Sequence, residues 1–168
     1  MKPGDHPEFF KRPPPPGRSR ESSITLQKDG TFTHDGEPVT HQRLARAFAS
    51  WITRHPDDGR FILNNGYDWS YFTVIDAPFL VTRVHAPDGT AGPLVIELFD
   101  GTSEPLLLDE LQIGSNDALY CKVKDDTFRA RFSPASQLQL APWLVDGENG
   151  IEIQHGGLRG SPIQRIST

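Results

Sequence analysis

The chain has 168 residues, a formal charge of −5 and one cysteine, which is enough for one ordinary domain or two small units. Cys121 alone excludes an internal disulfide framework and a cysteine-based zinc site, so a reducing compartment, the cytoplasm, is the expected location. No apolar run approaches the ~20 residues of a membrane span, and no apolar segment follows Lys2 as it would in a secretory signal. Five basic against three acidic side chains leave residues 1–21 at +2 and the remainder at −7, the wrong balance for a nucleic-acid phosphate backbone.

Residues 1–22 contain Pro3, Pro7 and the run Pro13 to Pro16, with Phe9 and Phe10 the sole bulky pair. That composition predicts a disordered tail with a polyproline II stretch. A strand over 24–27, the turn pair Asp29-Gly30 and a returning strand over 31–33 predict a β-hairpin. A second turn at Asp35-Gly36 leads to Thr40 as the expected helix N-cap. Leu44, Ala47, Phe48, Trp51 and Ile52 then form one apolar stripe at helical spacing, expected to face a sheet. His55-Pro56 stops the helix.

Beyond that point strands are predicted over 60–63, 69–75, 79–85, 94–99, 119–123, 127–132 and 151–154. Turns at Asp88-Gly89, Asp100-Gly101 and Asp125-Asp126 imply antiparallel hairpins. A short helix over 135–140 is expected after Ser133-Pro134. The fold class is α+β and antiparallel β-rich, with a hairpin–helix–strand unit over 23–86 and a β-rich unit over 87–168 behind the tail. Lys28-Asp29-Gly30-Thr31-Phe32 and Lys124-Asp125-Asp126-Thr127-Phe128 echo one another, each before a helix ending near Trp51 or Trp143. A duplicated ββα unit and coincidence both account for that match.

Asp29-Gly30-Thr31-Phe32, Gly36-Glu37-Pro38-Val39, Asp58-Gly59-Arg60-Phe61 and Asp76-Ala77-Pro78-Phe79 together resemble the bacterial DUF1285 family. The resemblance spans about 22–165 and is strongest over 24–84. It implies a two-part fold with repeated motifs and a role in ligand binding or signal transduction, and it brings no catalytic residue or cofactor with it. Asn64-Asn65-Gly66-Tyr67 stands where the family carries a Thr-Pro-x-Glu segment, so a ligand preference tied to that loop does not transfer.

His34, Asp35 and His41 lack the tight spacing of a metal site, and no metal is expected. No Gly-x-Ser-x-Gly occurs, Cys121 lies in an apolar context that suits an inert thiol, and Gly156-Gly157-Leu158-Arg159-Gly160 departs from the phosphate-loop pattern. The pairs Asp57-Asp58, Asp109-Glu110 and Asp125-Asp126 fall in or beside predicted turns, where solvated acids are ordinary. Tyr67, Trp69 and Tyr71 alternate along one strand and share a face, which serves either as core or as the wall of a pocket.

Asn64, Tyr67, Trp69 and Asp76, with Arg83 as an anion partner, form the candidate ligand site. The reading that follows is a non-enzymatic module binding a small molecule or relaying a signal. The alternative is a protein-interaction or self-associating component that uses the Pro-rich tail or a sheet edge. An enzyme of another kind stands third.

Overall fold

The computed structural model describes residues 1–87 and 92–167. It divides into two compact units, Met1–Asp76 and Ala77–Thr168, each built on its own sheet. The fold is α+β, with β-structure dominant and two short α-helices.

In the first unit β1 (Glu21–Leu26) turns into β2 (Phe32–His34). Asp29 Oδ1 accepts from the Thr31 amide at 2.9 Å, and Gly30 takes the positive φ of 87° that a side chain resists. Next come β3 (Glu37–Pro38), α1 (Gln42–Trp51), β4 (Ile52–Arg54), β5 (Phe61–Asn64) and β6 (Trp69–Val74). The six strands lie in the order β3-β2-β1-β6-β5-β4. Strand β6 runs parallel to β1, whereas β4–β5 and β5–β6 are antiparallel hairpins.

The N-cap of α1 is His41 rather than Thr40: its Nδ1 accepts from the Leu44 amide at 3.3 Å. The helix also stops earlier than Pro56 would dictate, because Ile52 and Thr53 enter β4 and pair with Leu63 and Ile62. With its axis so placed, Ala49 is the buried residue of the helix and Leu44 is 41% exposed. Phe48 and Trp51 lie between these extremes, with the Phe48 ring 5.4 Å from Phe32.

The tail expected to be disordered is instead seated on the first unit. It forms two 3-10 turns, Pro3–Asp5 and Phe9–Lys11, and Phe9 is only 3% exposed in a cluster with Ile62 and Trp69. Two adjacent phenyl rings supply the apolar area that the rest of the segment lacks.

The second unit starts at β7 (Phe79–His85), so the break falls ten residues before the expected 86/87 boundary. The reason is pairing at long range: β7 runs parallel to β12 (Phe128–Phe132). Between them lie β8 (Val95–Leu98), β9 (Ser103–Pro105), β10 (Gln112–Ile113) and β11 (Leu119–Val123). Helix α2 (Pro134–Leu140) follows, then β13 (Leu144–Gly147), β14 (Gly150–His155), β15 (Leu158–Arg159) and β16 (Gln164–Arg165). One sheet has the order β16-β10-β11-β12-β7-β8-β9 and a smaller one the order β13-β14-β15.

Ser133 caps α2 by accepting from the Ser136 amide at 3.1 Å. Fully buried Ser136 in turn donates its hydroxyl to the Val81 carbonyl at 3.0 Å. The turn expected at Asp88-Gly89 lies outside the described residues.

Both copies of the internal echo sit at hairpin turns, β1–β2 and β11–β12, yet the hairpins close differently. The first uses one glycine, whereas Lys124, Asp125 and Asp126 all take left-handed φ values of 56°, 54° and 60°. The parallel partner also differs, since β6 joins the first strand of its hairpin and β7 the second.

Candidate functional site

Alternation along β6 sends Trp69 and Tyr71 to one face of the first sheet and Ser70 and Phe72 to the other. The register places Ile62 opposite Tyr71, Leu63 opposite Ser70 and Asn64 opposite Trp69, so each face carries a defined apolar set.

On the face toward α1 there is a groove of about 120 Å³. Phe48 and Trp51 of the helix and Ile24 and Leu63 of the sheet form its apolar walls, and Asn65, Asp68 and Ser70 its polar rim, with Trp69 at the end. The rim is shaped by the loop itself. Asn65 Oδ1 accepts from the amides of Tyr67 and Asp68, both at 2.8 Å, and Asn64 Oδ1 from the Gly66 amide at 2.8 Å.

The opposite face is an aromatic box. The Trp69 and Tyr71 rings stand perpendicular with centroids 5.2 Å apart, and buried His55 lies 4.9 Å from Trp69 and 5.7 Å from Tyr71. Arg20 stacks its guanidinium 4.4 Å above Trp69 while donating to Asp68 at 2.5 Å and to the Trp69 carbonyl at 2.7 Å. Phe9 and Phe10 cover this face. Trp69 is accordingly 6% exposed, and the outward-opening aromatic face considered from the sequence is closed by the chain's own N-terminal segment.

The polar border of the box is internally matched. Tyr71 donates its hydroxyl to Asp58 at 2.6 Å, which holds the Asp58 carboxyl below its ordinary range and pushes the Tyr71 phenol up. Arg60 sits 3.7 Å above the Tyr71 ring and grips Glu21 with two bonds of 2.7 and 2.9 Å. That grip lowers the Glu21 pKa and raises that of Arg60.

The structure brings Asn64, Tyr67 and Trp69 into one loop–strand segment, in unequal roles. Asn64 braces the turn, Tyr67 is 66% exposed at its tip, and Trp69 joins groove to box. Asp76 lies in the bend beyond the far end of β6, roughly 20 Å further along an extended strand, and is half-buried there. Arg83 belongs to β7 of the second unit, where it pairs with Glu97 at 3.4 Å. Phe9, Phe10, Arg20 and His55 were not expected in the site. The one signal for the first two was a phenylalanine pair inside an otherwise polar, proline-rich stretch.

The remaining candidates find structural roles. His41 caps α1, and among the described residues no cluster of histidine, cysteine and carboxylate side chains could hold a metal ion. Burial pushes the Cys121 thiol up. Asp109 accepts from Ser161 through the amide at 2.7 Å and the hydroxyl at 2.8 Å, which keeps it ionised below the usual range. Burial, reinforced by Asp126, raises the Glu110 carboxyl. A cleft of about 350 Å³ near the β11–β12 turn is lined by Glu104, Lys122, Lys124 and Asp126. Its central ammonium, Lys124, is already committed to Asp100 at 2.8 Å and Thr102 at 2.6 Å.

No family sequence model and no curated protein matches the chain. The arrangement is that of a two-unit α+β protein, and solved structures share the fold. A DUF1285 family protein from Silicibacter pomeroyi superposes with a TM-score of 0.67 at 21% identity, over 95% of this chain and 87% of that one. Another from Shewanella baltica gives 0.58 at 18% identity, over 74% and 94%. The chain has the fold of DUF1285 family proteins, in agreement with the sequence resemblance. No helix among the described residues is long and apolar enough to cross a membrane.

Proposed function

We propose that the chain is a bacterial, cytoplasmic, non-enzymatic member of the DUF1285 family whose first unit binds a small, flat, largely apolar molecule in the groove between α1 and β5–β6. The observation that carries this reading is that α1 leaves Phe48 and Trp51 half-exposed over Leu63, beside the amide and carboxylate of Asn65 and Asp68. Apolar walls with a few convergent polar groups are the usual make-up of a ligand site. At about 120 Å³ the groove is below the ~300–1,000 Å³ of drug-sized pockets, so it accepts one ring or a short branched chain. Asp68 is neutralised by Arg20 at 2.5 Å, so the edge favours an uncharged ligand with a hydrogen-bonding group. Through such binding the module would serve signal transduction.

The test is a thermal-shift screen of the purified chain against aromatic and heterocyclic metabolites. A ligand at 100 times its Kd adds about 2.7 kcal/mol of stability. A reproducible hit that disappears in Trp51→Ala, a variant on the partly exposed helix face, supports the groove. A blank across the library, or hits indifferent to Trp51→Ala, overturns it.

A further inference from the structure

The N-terminal segment is attached to the first unit by few contacts. Of residues 1–18 only Phe9 is buried, and Phe10 is half-buried beside it. The two rings meet edge to face at 5.1 Å. Phe9 packs on Ile62 and Trp69, while Phe10 lies 5.4 Å from His55 and 6.0 Å from Trp69. The segment is also tied by the Gly4 amide to the Gly66 carbonyl at 2.9 Å, by the Lys2 ammonium over the Tyr67 ring at 5.9 Å, and by Arg20, which donates to the carbonyls of Arg12 and Pro13 at 3.1 and 3.3 Å. Lys11, Arg12 and Pro13 are exposed.

Two donors in this box have no acceptor among the described residues, although both are buried: the indole Nε1 of Trp69 and Nε of Arg20. The run Pro13 to Pro15 leads from the anchors into a turn closed by the Arg18 amide on the Pro15 carbonyl at 3.0 Å, with Gly17 at a φ of 76°, and so reaches the sheet through an irregular linker.

We propose that the Trp69–Tyr71–His55 face is a peptide-docking socket and that residues 5–14 are its resident occupant, a releasable latch held in cis. The ligand class is set by the occupant's chemistry: two adjacent aromatic side chains that fill the box, followed by basic residues and proline whose carbonyls meet the Arg20 guanidinium. The socket shares Trp69 and Asp68 with the groove on the other face, and peptide binding is read without any groove ligand present.

The experiment uses a fluorescent peptide of residues 5–14 and the full chain, wild type and Phe9→Ala/Phe10→Ala, read by anisotropy. The double variant binds the peptide saturably. Wild type binds it at least about tenfold more weakly, because the resident segment competes at a roughly millimolar effective concentration. A peptide carrying the same two alanines binds neither. Absence of peptide binding to the double variant with a wild-type circular dichroism spectrum overturns the proposal, as does equal binding to variant and wild type. If the double variant does not fold, Phe10→Ala, which removes the half-buried ring only, takes its place with the same expected order of affinities.

Discussion

Removing the latch rings tests the N-terminal segment as an energetic unit. A phenylalanine fully buried in a fixed core costs about 3–5 kcal/mol when cut to alanine, and 3% exposure would place Phe9 in that class. The segment has another outcome available, however: it can undock. Burial of the two rings yields about 1.5–3 kcal/mol each and the three backbone-carbonyl bonds about 0.5–1.5 kcal/mol each. Ordering the roughly ten residues that carry them costs about 1 kcal/mol or more apiece. Gains and ordering cost are of the same size, so the net docking energy is small, about 1–2 kcal/mol if the resident segment is to compete tenfold with an added peptide, and no substitution can remove more than that net worth.

Phe9→Ala and Phe10→Ala are expected to cost about 1–2 kcal/mol each, and the double variant about the same as the worse single. The assay is urea unfolding followed by tryptophan fluorescence and circular dichroism. In a unit the size of Met1–Asp76 each kcal/mol moves Tm by about 4–8 °C. Single losses of 3–5 kcal/mol that add in the double variant would refute the reasoning, since they would make the segment fixed core.

Two further outcomes concern the second unit. Burial pushes the Asp100 carboxyl up, but Lys124 at 2.8 Å and the hydroxyl and amide of Thr102 outweigh it and hold the folded-state pKa below the ordinary value. The stability this confers is complete above the unfolded pKa of about 3.9 and is lost as pH falls through the lower folded value; acid titration of unfolding should show a shallower loss below about pH 4 in Asp100→Asn than in wild type. In the β11–β12 turn Asp125 sits at φ 54° between two other left-handed residues, so Asp125→Gly should stabilise by up to about 1 kcal/mol, and a lower urea midpoint would count against strain in that turn.

Much of the frame is legible in local sequence. Asp29-Gly30 between alternating segments specifies the β1–β2 hairpin, and β7, β11 and the α2 cap fall where period and turn chemistry put them. The misreadings share a cause, which is pairing between residues distant in sequence. The stripe from Leu44 to Ile52 marks a helix but not its end, because Ile52 is drawn into β4 by Leu63. Strand β7 looks continuous with what precedes it, yet its parallel partner lies about fifty residues on. Strands β10, β15 and β16 have two residues each, too few to show any period.

At the site, Trp69 stands out through its alternation with Tyr67 and Tyr71, but its cover does not. Composition averaged over residues 1–22 conceals the single feature that matters there, the adjacency of Phe9 and Phe10.

A sheet has two faces, and apolar residues on both require two covers. In the first unit α1 lies over Leu63 and Phe72's side of the sheet, and with ten residues it leaves a groove rather than a seal. Ile62, Trp69 and Tyr71 on the other side are covered by no α-helix among the described residues; His55, Arg20 and Arg60 border them and Phe9 and Phe10 lie over them. The socket's polar border is braced from within the unit: Tyr71 is held by Asp58, Arg60 by Glu21 and Arg20 by Asp68. A light cover over a braced wall is the arrangement expected of an exchangeable occupant, because release breaks the bonds from Arg20 to the Arg12 and Pro13 carbonyls and from Gly4 to Gly66 but leaves the pairs within the wall intact, and it exposes an apolar patch of the kind that marks interaction surfaces.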